Sequence, residues 1–306
     1  MALISVHPYS LQPRGAPNRL ASAAPRRGLL VRWEADGRAG HADLFPWPEL
    51  GDADIDQLRA DLRQQVTNAL TRAALEWARY EAQAQVDERA FFPAPDVASH
   101  VTLLPGVSTN APLAKAKIST PDPQEAVEIL DRSPHTQFRF DLNGLFCDPD
   151  AAMHWWSFLA PYHARIDFLE DPTALTHLAS ARTWFPGAKI ALDRCDDPAL
   201  WKLADVLVLK PSAARPASAP SFAGPLVVTS VMGHPLGQLQ ALHAAQRWRG
   251  EGARIVQAGL LTHDCYLPHA QSDWVTAADG CLRPTRPEGP GWGLNAPLNS
   301  LRWEAP

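Results

Sequence analysis

TQFRFDLNGLFCDPDAAMHWWSFLAPYHARIDFLEDP, residues 136–172, holds two short apolar runs, and each run ends in acidic and turn-forming residues. A helix-like stretch lies between the two runs. Short apolar runs bounded by turn residues are typical of strands that are buried on both faces of a sheet. Two such strands joined by a helix predict a βαβ unit, in which the strands run parallel.

The same layout repeats along the chain from about residue 98 onward. The repeats comprise eight apolar or β-branched runs: SHVTLLPG, AKAKIST, TQFRFDLNG, ARIDFLEDP, AKIALDR, DVLVLKPS, PLVVTSVMG and RIVQAGLLT. Helix-like stretches separate most of them, so eight repeats favour a closed (β/α)₈ barrel over an open sheet. Residues 211–224, PSAARPASAPSFAG, are too rich in Pro, Ala and Ser for a helix. We therefore predict an α/β fold with a modified (β/α)₈-type barrel over residues 98–284 that lacks its sixth helix.

The first part of the chain, residues 1–97, predicts a separate α+β capping domain. GLLVRWEADGRAGHADLFP, residues 28–46, contains two β-like runs around a turn with Gly. Residues 53–85 have apolar residues recurring at three and four, which indicates one long helix or two helices with a break near residues 67–71. The tail from about residue 285 to 306 is rich in Gly and Pro, and we expect it to be irregular and to join the capping domain.

The composition excludes several classes of protein. The chain has 306 residues, a net charge of -5 and no block of Lys and Arg, so we expect no nucleic-acid partner. No apolar run approaches the roughly 20 residues of a membrane span, so we expect no membrane partner either. The start MALISVHPYSLQPRG lacks the basic lead and apolar core of a secretory signal, and the four cysteines form no CxxC pair. These features predict a cytoplasmic protein with free thiols.

Polar residues follow five successive predicted strands. Lys117, Asp141, Glu170, Asp193 and Lys210 stand at intervals of 24, 29, 23 and 17 residues, close to the length of one βα unit. Catalytic residues of such barrels lie at the C-terminal ends of the strands. We therefore expect these side chains at one mouth of the barrel, with three carboxylates in the middle and a lysine on each side.

The chemistry of this set predicts a metal site with a nearby base. Three converging carboxylates repel one another, and a divalent cation removes that repulsion; oxygen ligands favour Mg²⁺ or Mn²⁺. A metal with open positions binds a substrate carboxylate and stabilises the charge that forms when the α-proton leaves. Lys115 and Lys117 point to the same side of their strand. Lys115 and partial burial lower the pKa of Lys117, which favours Lys117 as the base.

These residues resemble the motifs of a known group of enzymes. KAK, FDLNG, LEDP, ALD and LKPS on successive strands resemble the enolase superfamily, and its muconate-lactonising subgroup in particular. Within that subgroup the chain is most similar to the o-succinylbenzoate synthase family. Residues 40–52 of this chain, GHADLFPWPELGD, resemble the capping-domain sequence of that family. The resemblance implies a carbon–oxygen hydro-lyase of menaquinone biosynthesis. Its small-molecule substrate would be the carboxylate 2-succinyl-6-hydroxy-2,4-cyclohexadiene-1-carboxylate, and Mg²⁺ (or Mn²⁺) its cofactor.

The resemblance also implies a role for each matching residue. Three residues would bind the metal: Asp141, Glu170 and Asp193. Lys117 would remove the α-proton and then assist the departure of hydroxide on the same face, while Lys210 opposite would stabilise the intermediate. Lys115 and Asn143 would be supporting groups, and Arg14 or Arg19, in the region of a cap loop that closes over the mouth in this family, would reach a substrate carboxylate. The seventh strand lacks the family's Ser-rich stretch with a Glu, and we expect His234 there to be a substrate-shell or loop residue and not a base.

Some positions depart from the family's pattern and leave alternatives open. Arg194 stands where the family usually has Glu, next to the third metal ligand, and it changes the charge there. An N-succinylamino-acid racemase or dipeptide epimerase, with Lys117 and Lys210 as two opposed bases, is the main alternative activity. Dipeptide epimerases of this family usually carry Asp-x-Asp on the eighth strand, whereas this chain has only Asp264 there. A barrel without catalytic activity is a third alternative, and the sequence does not distinguish a monomer from a homo-oligomer.

Overall fold

The structure is a computed structural model that describes residues 2–16, 23–66, 68–94, 96–193, 195, 197–214 and 218–306. Its strands are β1 (Leu3–Leu11), β2 (Arg26–Ala35), β3 (Arg38–Leu44), β4 (Ser99–Thr102), β5 (Leu113–Lys117), β6 (Gln137–Asp141), β7 (Ile166–Glu170), β8 (Ile190–Asp193), β9 (Val206–Leu209), β10 (Leu226–Val228), β11 (Ala258–Leu261), β12 (Val275–Ala278) and β13 (Cys281–Pro284). Its α-helices are α1 (Ile55–Gln64), α2 (Ala69–Val86), α3 (Pro123–Arg132), α4 (Pro149–Phe158), α5 (Leu178–Trp184), α6 (Pro198–Trp201), α7 (Pro235–Gly250) and α8 (Asn295–Asn299).

Strands β4 to β11 form one parallel sheet, in the order β10-β9-β8-β7-β6-β5-β4-β11. A parallel bridge between Thr229, just after β10, and Gly259 of β11 brings the two edges together, so the sheet is a nearly closed barrel. Seven of the eight strands lie within the runs identified in the sequence, and β5 begins one residue before its run AKAKIST. The predicted (β/α)₈-type barrel with an N-terminal α+β unit is therefore confirmed.

The barrel wall is incomplete after β9, as predicted. Among the described residues between β9 and β10 there is no α-helix, only a short 3₁₀ turn at Pro211–Ala213. Helix α2 of the N-terminal unit packs against this turn, and the Trp77 Nε1 donates hydrogen bonds to the carbonyl oxygens of Pro211 (2.8 Å) and Ala214 (2.9 Å). The N-terminal unit thus contacts the barrel where the sixth helix is missing.

The N-terminal unit consists of an antiparallel sheet of order β1-β2-β3 and helices α1 and α2. The β2–β3 hairpin turns at Asp36 and Gly37, which both have positive φ (53° and 73°), as a tight Asp-Gly turn requires. Helix α2 begins with a capping box between Asn68 and Thr71, so the helical stretch is two helices and not one. Strand β1 was not predicted, because its alternation is interrupted by His, Pro and Ser.

The C-terminal tail returns to this unit. The backbone of Glu304 exchanges two hydrogen bonds with Val6 of β1, with N···O distances of 2.8 and 3.0 Å. Trp292 packs against Trp77 of α2 and against Phe91. The β12–β13 hairpin, which precedes the tail, was not predicted either. One hydrophobic cluster includes residues of the N-terminal unit, α7 and the tail, so the division at residues 97 and 98 stays a prediction.

A buried carboxylate joins the two units. Asp43 of β3 accepts a hydrogen bond of 2.5 Å from the Tyr9 hydroxyl, and its backbone N–H donates to Gln240 of α7. A Cβ built on Gly237 of α7 would lie 2.3 Å from Asp43 Oδ2, so only glycine fits at this position. Burial raises the pKa of Asp43 to about 7. None of the helices in the described ranges is both long and apolar enough to span a bilayer.

Candidate active site

The register of the barrel strands brings the predicted site residues to one level. Lys117 of β5 pairs with Asp141 of β6, which pairs with Glu170 of β7. Glu170 pairs with Ala191, and Asp193 lies two residues after Ala191 on β8. Asp193 in turn pairs with Val208, and Lys210 lies two residues after Val208. Residues two apart on a strand have their side chains on the same face of the sheet. Together with other residues, Lys115, Lys117, Asp141, Asn143, Asp193 and Lys210 line one cavity of about 50 Å³.

Lys115 is the ammonium group that contacts both fully buried carboxylates of the cluster. Its Nζ lies 2.6 Å from Glu170 Oε1 and 3.0 Å from Asp141 Oδ2. Burial lowers the pKa of Lys115, but the carboxylates of Asp141, Glu170 and Asp193 outweigh burial and raise it above its ordinary value. Lys115 is therefore a fixed positive charge, which neutralises part of the acidic cluster.

Lys117 has the opposite electrostatic character. Its Nζ lies 3.7 Å from Asp141 Oδ2, further than Lys115 is from its partners. Burial lowers the pKa of Lys117, and the positive charges of Lys115 and Lys210 lower it further, while Asp141 opposes them. The predicted effect of Lys115 on Lys117 is confirmed in direction, although burial is the larger cause. Two lysines two residues apart thus differ in proton affinity.

On the other side of the cluster, the Asp193 carboxylate contacts Lys210. The Lys210 ammonium forms an ion pair with Asp193 Oδ2. The Asp193 backbone N–H donates a hydrogen bond of 3.1 Å to Asp171 Oδ1, which fixes the end of β8 against β7. Asp171 follows Glu170 directly in the chain, and its pKa is raised by burial and by the neighbouring Asp193 and Glu170. Asp171 is an additional buried acid of this cluster.

The donor chemistry of the cluster fits a hard divalent cation. Glu170 Oε2 and Asp193 Oδ1 are buried and have no hydrogen-bond partner among the described residues. Burying a charged oxygen without a partner is costly, and a metal ion would satisfy both atoms. In the described part of the chain no three acidic, His or Cys side chains stand in a coordinating arrangement. Instead, Lys115 and Lys210 hold the acids by ion pairs.

Asn143 supports the first predicted ligand. Its Nδ2 donates a hydrogen bond of 2.5 Å to Asp141 Oδ1. Asn143 has φ +46°, in the left-handed region, which asparagine tolerates better than most residues. The strand-end sequence DLNG therefore turns sharply enough to direct the amide back to the carboxylate.

The structure does not bring His234 to the cavity. His234 is fully buried at the start of α7, where its Nδ1 accepts a hydrogen bond from the Leu236 N–H, and its ring packs 4.8 Å from that of Tyr9. This capping contact replaces the predicted contact with substrate. Arg19 and Arg194 lie outside the described residues, so both predictions stay predictions. Arg14 donates to the Tyr266 carbonyl oxygen from its Nε.

Several residues that line the cavity were not identified from the sequence. Trp47, from the capping sequence GHADLFPWPELGD, lines it and donates a hydrogen bond of 2.8 Å to the Val231 carbonyl oxygen. His100 of β4 lines it from below and contacts Arg139 at 2.9 Å. The signal for Trp47 was the capping motif itself. No sequence signal pointed to His100, because a lone histidine in a strand usually has a structural role.

Comparisons with known proteins agree with the motifs. A family model described as the N-terminal domain of O-succinylbenzoate synthase matches residues 4–84. An o-succinylbenzoate synthase of Bdellovibrio bacteriovorus is 29% identical to the chain, and the match covers 99% of this chain and 98% of that protein. The substrate-liganded L-Ala-D/L-Glu epimerase of Bacillus subtilis has a TM-score of 0.77 at 16% identity, over 95% of this chain and 97% of that chain. An enolase superfamily member of Roseovarius nubinhibens ISM, complexed with magnesium, has a TM-score of 0.69 at 18% identity, over 95% and 94% of the two chains.

These findings confirm the resemblance stated from the sequence. The similarity to solved structures shows the fold, a parallel barrel with an N-terminal capping unit, which this chain shares with those proteins. The two matches to o-succinylbenzoate synthases support the predicted enzyme class, a lyase.

Proposed function

We propose that this chain, which has the enolase superfamily fold and resembles o-succinylbenzoate synthases, is itself an o-succinylbenzoate synthase. In this proposal it dehydrates 2-succinyl-6-hydroxy-2,4-cyclohexadiene-1-carboxylate and acts in menaquinone biosynthesis. One structural observation carries the proposal. Along the barrel from β5 to the residue after β9, three acids stand between two lysines, and Asp141 and Glu170 are buried while Asp193 is partly buried. One of the two lysines, Lys117, has a lowered pKa.

Asp141, Glu170 and Asp193 would hold Mg²⁺, which would neutralise the charge that develops on the substrate carboxylate. The oxygens that support this assignment are Glu170 Oε2 and Asp193 Oδ1, which are buried without a hydrogen-bond partner among the described residues. Metal binding competes with the ammonium groups of Lys115 and Lys210 for the same acids.

Lys117 would perform the proton transfers of a syn elimination. Its neutral Nζ takes the proton from the carbon α to the carboxylate, and the electron pair of that C–H bond moves toward the carboxylate. The C–O bond to the hydroxyl group then breaks, and Lys117 gives its proton to the departing hydroxide, which leaves as water. The ring gains its third double bond and becomes aromatic. Lys210, at the other end of the acidic row, stabilises the negative intermediate by its charge and by contact with the ring.

The direct test is turnover of the cyclohexadiene precursor by the purified protein. We expect the absorbance of the aromatic product to appear with Mg²⁺ and not with EDTA, and re-addition of Mg²⁺ to restore the rate. Absence of product at saturating Mg²⁺ would reject the proposal.

An epimerase or racemase is the second candidate, because two lysines that line one cavity can act as opposed bases. The fold similarity to the Bacillus subtilis epimerase agrees with it. Against a dipeptide epimerase, the Asp264 side chain is 92% exposed and does not line the cavity. Racemisation of N-succinylamino acids or L-Ala-L-Glu without dehydration of the cyclohexadiene would favour this candidate.

A further inference from the structure

A second, larger cavity opens beside the catalytic one. It has a volume of about 420 Å³ and lies between the loop that follows β4 and helix α3. Thr102, Lys117 and Met232 line both cavities. The larger cavity, which we call the outer groove, is thus continuous with the place where the base lies. Its volume falls within the range of about 300–1,000 Å³ typical of small-molecule sites.

The walls of the outer groove are mainly apolar. They include Leu103, Leu104 and Val107 of the loop after β4 and Ile129 of α3. Val107 is 51% exposed, so its side chain is accessible at the wall of the groove. Apolar surface next to a catalytic group favours a hydrocarbon ligand over a polar one.

The charged residues at the rim of the outer groove already have partners. Glu125 accepts hydrogen bonds from the backbone and hydroxyl groups of Ser119 and Thr120. Arg132 forms an ion pair of 2.8 Å with Glu128, one turn away on α3. Because these three charged side chains are held by contacts within the protein, the apolar wall is the main surface that the described residues leave for a ligand. The chemistry therefore fits an uncharged occupant.

Met232 lines both the outer groove and the catalytic cavity. Its φ is +55°, in the left-handed region that a long side chain rarely adopts. Its carbonyl oxygen accepts a hydrogen bond of 2.5 Å from the Tyr266 hydroxyl, and its N–H donates to Ser230 Oγ at 3.1 Å. Backbone strain that is held by such contacts tends to occur at functional sites, where it fixes a side chain.

We propose that the outer groove is a second subsite of the active site, which accepts an uncharged hydrocarbon arm of a carboxylate substrate. The carboxylate end would lie in the catalytic cavity and the arm would pass Met232 into the groove. Met232 would act as a specificity-determining residue, since it sets the width of the passage. The inference rests on the proposed function only in that the catalytic cavity binds a carboxylate.

The test is the binding of straight-chain carboxylates, from acetate to octanoate, to the Mg²⁺-loaded protein, measured by calorimetry. Each methylene group that enters an apolar groove tightens binding about fourfold, so we expect the logarithm of Kd to fall steadily once the chain passes Met232. Val107→Trp would fill the groove and Val107→Asp would charge it, and both should flatten this dependence. Val86→Trp is the matched control, because Val86 is also 51% exposed but lies on α2, and it should keep the slope.

The subsite would be overturned if Kd in the unchanged protein did not depend on chain length, or if no carboxylate of any length bound measurably. A slope that survives in both Val107 variants would overturn it as well. Thermal unfolding midpoints of the variants check that each is folded. The subsite and the proposed function can fail separately. If Kd falls with chain length but the cyclohexadiene is not dehydrated, the subsite is supported and the dehydratase is rejected. If the cyclohexadiene is dehydrated but Kd does not depend on chain length, the dehydratase is supported and the subsite is rejected.

Discussion

Lys117 and Asp141 are ladder partners on neighbouring parallel strands, and the Lys117 Nζ lies 3.7 Å from Asp141 Oδ2. The proposed base and a proposed metal ligand are therefore fixed relative to each other by main-chain hydrogen bonds of the barrel. Such rigid placement favours catalysis, because neither group has to be ordered when the substrate binds.

Replacement of Lys117 by Ala should lower kcat for dehydration by on the order of 10²–10⁴-fold, the usual contribution of a positioned acid–base group. Folding should be preserved, because the change removes a buried ammonium with only a long contact to Asp141. Steady-state turnover and the thermal midpoint check the two expectations. Lys189→Ala is the control, since the Lys189 side chain is 63% exposed and forms an ion pair with Asp167. Equal activity of Lys117→Ala and the control would exclude Lys117 as the base.

Glu170→Gln should weaken Mg²⁺ binding by at least about 10-fold. Replacing a residue that merely supports a metal ligand already lowers metal affinity by about 10-fold or more, and Glu170 is itself a proposed ligand. The reason is that Glu170 Oε2 is buried without a partner among the described residues, and the amide carries no charge. Calorimetric titration with Mg²⁺ measures the affinity without any turnover. Asp264→Asn removes an exposed carboxylate near the same end of the barrel and should leave Mg²⁺ affinity as it is. The metal assignment fails if both variants bind Mg²⁺ alike.

Gly237→Ala should destabilise the protein by about 1–2 kcal/mol, because the strain of overpacking exceeds the gain in helix propensity. The added Cβ would lie 2.3 Å from Asp43 Oδ2, so the carboxylate must move and its hydrogen bond with Tyr9 is disturbed. Gly250→Ala at the other end of α7 meets no atom within 4 Å and should be neutral or slightly stabilising. Urea unfolding gives the free energy of unfolding of both variants. A stability of Gly237→Ala at or above that of Gly250→Ala would contradict the close approach.

Stability should fall as the pH drops from about 6.5 toward 4, partly through His243. Burial lowers the pKa of His243 to about 4, and its Nδ1 lies 3.0 Å from the Phe91 carbonyl oxygen. Between these pH values the unfolded chain binds a proton that the folded protein does not bind, so the free energy of unfolding decreases. The loss is on the order of 3 kcal/mol and levels off below the folded pKa.

The measurement is urea unfolding as a function of pH for the unchanged protein, His243→Gln and the exposed-site control His135→Gln. We expect the pH dependence between 6.5 and 4 to be shallower in His243→Gln and unchanged in His135→Gln. Parallel curves for all three proteins would show that His243 does not contribute.

The barrel could be predicted because its strands are buried on both faces. Runs such as VLVL at Val206–Leu209 are apolar throughout and end in a polar residue, which is a strong local signal. Strand β1 gave no such signal, since LISVHPYSL lies on the edge of a sheet and mixes exposed and buried positions. The β12–β13 hairpin was missed for the same reason, because its central residues Thr276 and Ala277 are exposed.

The candidate site could be predicted as far as strand order determines it. The sequence placed Lys117, Asp141 and Glu170 at one mouth, because period and spacing decide which side chains share a face. It could not show that Lys115 pairs with Glu170, a contact across two strands. Nor could it place His234, whose position depends on Tyr9, more than 200 residues earlier in the chain.

The pairing of Val6 with Glu304 bears on the order in which the chain folds during synthesis. Strand β1 lies at the edge of its sheet and stays open to wrong partners until residue 304 has left the ribosome. Strands β1, β2 and β3 can pair with one another early, but the contact that covers this edge at Val6 forms only after nearly the entire barrel has been made.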